Sequence, residues 1–395
     1  MRSALIAIAL ALLIVCLAVT GTLSAAAERP ADQPAAARQI VVFKGSTSDT
    51  AAQEAVVASV GAQWLKPLRL INAAAVVVPP ASQRALAAHP AVLRVDPDVV
   101  VQALDQPVVP VAKPPKPTPA PGPAQQLPWG VDRIDAEKVW PNTGAGVKVA
   151  VLDTGIDLDH PDLVDNVKGG VNTINPRKKP NDDNGHGTHV AGIIAAVNNS
   201  IGVIGVAPGA SLYAVKVLNA SGSGYLSDII EGLQWSVEHS IQVVNMSLGT
   251  SSDVQSFHEA IAAAAYKHVI VVASAGNSGP GDDTVLYPAK YPEVIAVAAT
   301  DQSDAAASFS STGLAVELAA PGVSIYSTVK GGGYAYMSGT SMAAPHVSGT
   351  AALVIAAGRS DVRDRLCRTA TDLGTSGRDE IYGCGLVNAE EAATK

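Results

Sequence analysis

Five runs constrain this chain most: VKVAVLD (147–153), SLYAVKVL (211–218), IQVVNMSL (241–248), VIVVASAG (269–276) and VIAVAAT (294–300). Each is apolar at nearly every position rather than at alternate ones, and each is rich in Val or Ala. Stretches with helical spacing lie between them, among them GTHVAGIIAAV, SDIIEGLQWSVEHS and SSDVQSFHEAIAAAAYK. A strand that is apolar on both faces is covered on both faces, and strands alternating with helices pair in parallel. The expectation is one α/β domain over 124–395, a parallel sheet with helices on both sides. In such a sheet the chemistry sits in the loops beyond the carboxyl ends of the strands. Aromatic residues make up only 4% of the chain, so small side chains must fill its core.

The segment before this domain has its own rhythm. QIVVFK reads as a strand, and SDTAAQEAVVASVGA as a helix that Ser48 or Asp49 would cap. QWLKPLRLI and NAAAVVVPP read as strands, SQRALAAHP as a short helix and AVLRVDPDVVV as one last strand. The order β-α-β-β-α-β predicts a small α+β, ferredoxin-like domain over 39–104. QPVVPVAKPPKPTPAPGPAQQ follows. Proline at that density removes backbone donors and fixes φ, so 105–123 is expected to be an extended spacer.

The first 27 residues combine Arg2, a long apolar run and SAAAE, the pattern of a cleaved export signal. The run from Ala4 to Leu23 is also long enough, at about 20 residues, to remain as a membrane anchor. Export is the main reading and the surface anchor its alternative. Cys16 leaves with the signal. Cys367 and Cys384 then read as a disulfide in an exported chain, with two free buried thiols as the alternative. A net charge of −8 with no long basic run argues against a nucleic-acid partner.

Three segments place reactive residue types at strand ends or helix starts. Asp153 ends VKVAVLD before TGID, His186 opens the helix in NGHGTHVAG, and Ser341 opens SMAAPHVSGTAAL. A serine hydroxyl needs a base within hydrogen-bond reach, and the base needs a partner that fixes its tautomer. Gly339 would let the chain turn sharply before Ser341. Pro345 would fall about where the tolerance of a helix start for proline ends. Asn277, in SAGNSG at the end of another apolar run, has the amide that a developing oxyanion requires, and the Ser341 backbone N–H could supply a second donor. Esterases carry G-x-S-x-G, whereas this serine lies in G-T-S-M-A. HGTH lacks the acid of a zinc motif. A non-catalytic binding protein on the same fold is disfavoured because all these positions carry competent residues.

Together DTGID, HGTHVAG and GTSMAAPHVSG, in the order Asp, His, Ser, resemble the subtilisin-like serine proteases. The resemblance covers nearly all of Gln125–Lys395. It implies a seven-stranded-type sheet, with Asp153 as orienting acid, His186 as general base, Ser341 as nucleophile and Asn277 as oxyanion donor. It implies a cleft in which Gly222, Ser223 and Gly224 on one side and Ser247, Leu248 and Gly249 on the other bind an extended polypeptide as an added strand. Ser274, Ala275 and Gly276 would wall the main pocket, with Leu286 at its floor. No Asp or Glu lines these segments, so broad, apolar-leaning specificity is expected. It implies structural calcium held by Gln125, Asp162, Asn199 and the carbonyls of Val197, Ile201 and Val203, and a weaker second site at the carbonyls of Ala289, Tyr291 and Val294. A cis bond is implied at Tyr287–Pro288. The small domain would be a propeptide that inhibits its own enzyme until cut near Ala103 or Leu104, leaving a secreted monomer that begins at Asp105 or at Ala124.

Overall fold

The computed structural model describes residues 36–104 and 123–395; the expected export signal and residues 105–122 of the spacer lie outside them. In the small domain, β1 (Ala37–Phe43), α1 (Thr50–Ser59), β2 (Gln63–Leu68), β3 (Ala73–Val78), α2 (Gln83–Ala87) and β4 (Val92–Pro97) follow one another in the expected order. The Asp49 carboxylate caps α1 by accepting from Ala52 N at 3.0 Å. The strands form an antiparallel sheet in the order β2-β3-β1-β4. IVVF in β1 is apolar throughout because both faces are buried. Val41 and Phe43 face the domain's own helices with Val57 and Leu86, while Ile40 and Val42 join a core shared with the large domain.

The single last strand expected from the sequence is broken. β4 ends at Pro97, which has no N–H to continue a ladder, and β5 (Val100–Ala103) leaves the sheet. The acidic side chains flanking Pro97 turn into the large domain. Asp98 accepts from Ser227 N and Ser227 Oγ, each at 2.8 Å, and from Arg38 Nε at 2.9 Å. Asp96 accepts from Ser256 N at 3.1 Å.

In the large domain β6 (Lys148–Asp153), β7 (Val167–Asn172), β8 (Ser211–Lys216), β10 (Val243–Met246), β12 (Ile270–Ser274), β13 (Val294–Thr300) and β14 (Val316–Pro321) form a seven-stranded parallel sheet in the order β14-β13-β12-β10-β6-β8-β7. The short strands β9 (Ser223–Tyr225) and β11 (Leu248–Gly249) stand apart from it and flank β5. One face of the large sheet shares a core with α4 (His186–Ala195) and α7 (Thr340–Ala356), the other with α5 (Leu226–Glu238) and α6 (Gln255–Tyr266). Asp98 and Asp96 reach the second residues of α5 and α6. The residues flanking those helices, Tyr225 and Val254, offer no capping side chain. The small domain thus supplies two carboxylates to orphan helix N–H groups of the large one.

α7 is buried from Thr340 to Val354, which explains its Ala, Ser and Gly content. Pro345 lies deeper than the sequence suggested, as the sixth helical residue. It cannot donate to the Ser341 carbonyl, and Ser247 Oγ does so instead at 2.9 Å. Cys367 and Cys384 are disulfide-bonded, with Cα atoms 5.3 Å apart. The peptide bond Tyr287–Pro288 is cis as expected, and so is Trp140–Pro141.

Two outcomes follow from this packing. Asp98→Ala should lower the unfolding free energy of the full chain by about 2 kcal/mol, by removing a cap and unpairing Arg38. Urea unfolding of chains carrying Ser341→Ala, in which no cut separates the domains, measures it, and an unchanged midpoint refutes the capping role. The second concerns His346, fully buried on α7, whose Nδ1–H donates to the Met342 carbonyl at 2.8 Å. Burial lowers its pKa to about 4. An unfolded histidine titrates near 6.5, so below that pH the unfolded chain binds the extra proton. The contribution is complete above about pH 6.5 and is lost as the pH falls toward 4, by up to about 3 kcal/mol. His346→Gln should flatten the slope of unfolding free energy between pH 6.5 and 4. The same slope in both chains would exclude His346 as its source.

Candidate active site

The expected reactive side chains collect at the carboxyl edge of the sheet, where the strand order reverses about β6. Asp153 is the last residue of β6 and fully buried. Its Oδ1 accepts from His186 Nδ1–H at 2.7 Å and from Thr154 N at 2.7 Å. Burial pushes the Asp153 carboxyl above the usual carboxylate range, and the facing His186 ring and the Thr154 amide pull against that shift. The bond to Asp153 fixes the proton of a neutral imidazole on Nδ1 and leaves Nε2 as its basic nitrogen. His186 is the first residue of α4, and α4 packs against α7, which carries Ser341 as its second residue.

Asp182, which sequence reasoning missed, holds the turn before His186. It accepts from Thr154 Oγ1, from the backbone N–H groups of Asn184 and Gly185, and from both N–H and Oγ1 of Thr188. An Asp just upstream of Asn-Gly is an Asx-turn signal that would have pointed to it.

The chain's own Leu104 lies in this site. The Leu104 carbonyl oxygen accepts from Ser341 Oγ at 2.8 Å and from Asn277 Nδ2 at 2.7 Å. The Asn277 amide is fixed from behind, where Thr340 N–H and Thr340 Oγ1 both donate to its Oδ1, at 3.0 and 2.9 Å. This function of Thr340 was invisible in the sequence. Gly339 is required by close approach, since a Cβ there would come within 3.0 Å of the Leu104 oxygen and 3.2 Å of Asn277 Nδ2.

β5 reaches this point as the middle strand between β9 and β11, antiparallel to both. Val101 pairs with Gly224, Gln102 with Ser223 and Gly249, and Ala103 with Leu248. Ala103 N donates to the Gly222 carbonyl at 2.8 Å, and Leu104 N points to the Ser247 carbonyl at 3.5 Å. Gly222, Ser223 and Gly224 thus lie on one side of β5, and Ser247, Leu248 and Gly249 on the other. The Leu104 side chain lies against Gly249, where a Cβ would come within 3.2 Å of its Cδ1 and of Leu286 Cβ. Ser274 ends β12. The Ala275 carbonyl accepts from Leu286 N at 2.9 Å, and Gly276 N–H donates to Thr340 Oγ1 at 3.2 Å.

The expected calcium residues also converge. Gln125 Nε2 donates to the Val197 carbonyl at 2.9 Å and reaches the Val203 carbonyl at 3.4 Å. Asp162 accepts from Asn199 Nδ2 at 2.8 Å and from Val203 N at 2.9 Å. Ile201 N–H donates to Asn199 Oδ1 at 2.7 Å. Burial pushes the Asp162 carboxyl upward, with the Val203 and Asn199 bonds opposing the shift. The buried Asp162 carboxylate and the main-chain carbonyls, with the Gln125 and Asn199 amides turned so that their oxygens rather than their nitrogens face them, would make a hard-oxygen donor set of the kind calcium takes. Of the carbonyls expected to form a weaker second site, that of Tyr291 accepts from Val294 N at 3.0 Å and that of Val294 from Arg363 Nη2 at 3.4 Å.

Comparison with known proteins agrees with this geometry. The profile of the Subtilase family matches residues 144–385. The chain is 50% identical over 275 residues to Subtilisin Savinase of Lederbergia lenta, an alignment covering 68% of this chain and 99% of that protein. It is 50% identical over 275 residues to an alkaline protease of Shouchella clausii, covering 68% and 70% of the two chains. It is 42% identical over 367 residues to Subtilisin E of Bacillus subtilis, covering 90% of each. A parallel sheet whose carboxyl edge joins Asp153 to His186 and aims Ser341 and Asn277 at a single carbonyl, in a chain with these relatives, belongs to the subtilase family and is a serine endopeptidase.

Proposed function

We propose that the chain is the precursor of a secreted, calcium-stabilised endopeptidase that cuts itself between Leu104 and Asp105 and then hydrolyses extended polypeptides. The observation that carries this reading is the Leu104 carbonyl oxygen, within hydrogen-bond distance of both Ser341 Oγ and Asn277 Nδ2. His186 Nε2 takes the hydroxyl proton as Ser341 Oγ bonds to the carbonyl carbon. The carbonyl electron pair moves onto oxygen, where Asn277 Nδ2 and the Ser341 backbone N–H stabilise it. Asp153 stabilises the imidazolium that forms. That imidazolium passes its proton to the leaving amine as the C–N bond breaks and the acyl-enzyme forms. Water, deprotonated by His186, then releases the acyl group and restores Ser341.

Residues 39–104 act in this reading as an intramolecular inhibitor, since their last strand already fills the cleft. Val101 is fully buried and Leu104 sits beside Leu286, which supports a preference for apolar residues. The leader carries the chain out of the cell. No helix among the described residues is long and apolar enough to cross a membrane. The active site is assembled from one chain, in keeping with a monomer.

Casein and peptide anilides test the reaction. The processed enzyme should hydrolyse both, should prefer Leu to Lys or Glu beside the cut, and should stop on treatment with a fluorophosphonate. Ser341→Ala should be inactive and should retain the bond between Leu104 and Asp105, as read by mass spectrometry of the N-terminus. Residual serine-independent proteolysis would refute the mechanism. Asn277→Ala should lose about 10²–10³-fold in turnover, the range established for removing this donor in a subtilisin. An unchanged turnover removes it from the mechanism.

Bound calcium would supply a positive charge that locks Gln125, Asp162, Asn199 and the carbonyls of Val197, Ile201 and Val203 into one loop. Calcium at about 1,000 times its dissociation constant adds about 4 kcal/mol, on the order of 10 °C in melting temperature. Melting of phosphonylated enzyme in calcium and in EDTA measures the difference. Coincident curves would refute the assignment.

A further inference from the structure

His160 is fully buried, and the mechanism above does not use it. Both of its ring nitrogens are engaged, and they reach two different parts of the enzyme. Nδ1 accepts from the Asp162 backbone N–H at 3.1 Å. The ring is therefore protonated on Nε2, which donates to the Gly333 carbonyl at 3.0 Å. Asp162 belongs to the proposed calcium loop through both of its carboxylate oxygens and through its carbonyl, which accepts from Val197 N at 3.0 Å.

Gly333 opens β16 (Gly333–Met337), the second strand of a hairpin with β15 (Ile325–Val329). Four residues beyond the end of β16 is Ser341. The intervening turn is held at two points, where Ser338 Oγ accepts from Ser324 N at 2.9 Å and Gly339 N donates to the Gly322 carbonyl at 2.9 Å. Tyr334, next in β16, makes an edge-to-face contact with His160 at 5.4 Å between ring centroids. It also lies over the calcium loop at Gly202, whose φ is +63° and where a Cβ would fall 2.1 Å from the Tyr334 hydroxyl. Burial beside the Asp162 carboxylate pushes that hydroxyl above its ordinary range. The loop and the strand that delivers the nucleophile are thus joined by one imidazole and one phenol ring.

We propose that His160 is a positioning residue that couples the calcium loop to the placement of Ser341 through β16. The proposal rests on the calcium reading given above. When the loop is ordered, Asp162 N–H fixes the His160 ring, and the ring holds the Gly333 carbonyl and with it the start of β16. When the loop is loose, β16 loses that anchor and the nucleophile's approach to the carbonyl is less well fixed. The coupling therefore acts on turnover rather than on substrate binding, because β9 and β11, which hold the substrate strand, belong to other segments.

Two conservative variants separate the halves of the bridge. His160→Asn keeps an acceptor at the position of Nδ1 and loses the donor to Gly333. His160→Gln keeps a donor near the position of Nε2 and loses the acceptor for Asp162. Calcium binding is measured by calorimetry in a Ser341→Ala background, and kcat and KM on a peptide anilide with processed enzyme in saturating calcium and in EDTA. Circular dichroism establishes that each variant folds. In the parent, calcium removal should lower kcat with little change in KM.

His160→Asn should retain calcium affinity within about threefold, lose about tenfold in kcat, and show a kcat that no longer responds to calcium. His160→Gln should bind calcium at least tenfold more weakly and recover most of its kcat when the ion is saturating. Parallel losses of affinity and kcat in both variants, or an unchanged calcium response of kcat in both, would overturn the coupling. A parent that binds no calcium overturns the calcium reading first and the coupling with it. A parent that binds calcium but whose kcat ignores it overturns the coupling alone.

Discussion

The constraint on which the rest depends is the reversal of strand order at β6. From β6 the chain crosses to the edge strand β7, comes back to lay β8 between the two, and then passes β6 to build β10, β12, β13 and β14 on the other side. Connections leave the carboxyl ends of β6 and β10 in opposite directions, and a crevice must open between them. Asp153 stands at the end of β6, Ser247 follows β10 and Asn277 follows β12, so side chains distant in sequence face one space. The helices that return to the amino edge begin at this crevice, which is why His186 and Ser341 are at helix starts. None of these five residues needs a specialised fold of its own.

The proposed nucleophile, Ser341, is fixed by a defect in its helix. Pro345 leaves the Ser341 carbonyl without the usual intrahelical donor, and Ser247 Oγ fills the place. The carbonyl of the same Ser247 faces Leu104 N and lies 3.3 Å from Ser341 Oγ. One residue at the edge of β5 therefore sets the backbone of the serine and the position of the Leu104 carbonyl in front of it. A regular helix would have satisfied Ser341 internally and removed that link between cleft and nucleophile.

What was legible in the sequence was what is local. Continuous apolar runs announced a doubly covered sheet, and Asp153, His186, Ser341 and Asn277 each sit in a short stretch whose turn or helix start is written nearby. Asp49 could be named as one of two caps because the helix it serves begins at the next residue. Asp96 and Asp98 perform the same physical task and were not legible, because the N–H groups they satisfy belong to Ser256 and Ser227, well over 100 residues away. The break after Pro97 follows from the same cause. AVLRVDPDVVV has strand composition apart from Pro97, whose missing N–H ends the ladder, and the two remote helix ends then draw the chain out of the sheet. Thr340 was overlooked because its neighbours explain its presence well enough as the start of a helix.

These remote contacts bear on what cutting can accomplish. Beyond β5, the small domain is held by Lys66, whose Nζ meets Asp228 Oδ1 at 2.5 Å, Glu231 Oε2 at 2.6 Å and the Thr173 carbonyl at 2.7 Å. It is held also by Arg94 on Glu259, by Asp96 and Asp98 on the helix starts, and by the apolar face shared with α5 and α6. None of these involves the bond after Leu104. In the proposed reading, hydrolysis of that bond leaves β5 between β9 and β11, with a new carboxylate beside Ser341 and the docking surface unchanged. Cleavage and release are then separate events with separate determinants. The first depends on a few atoms around the Leu104 carbonyl. The second depends on breaking an interface in which buried apolar area contributes more than the partly exposed ion pairs at its rim. In that proposed reading the enzyme stays inhibited after it has cut itself, until the small domain unfolds or is digested.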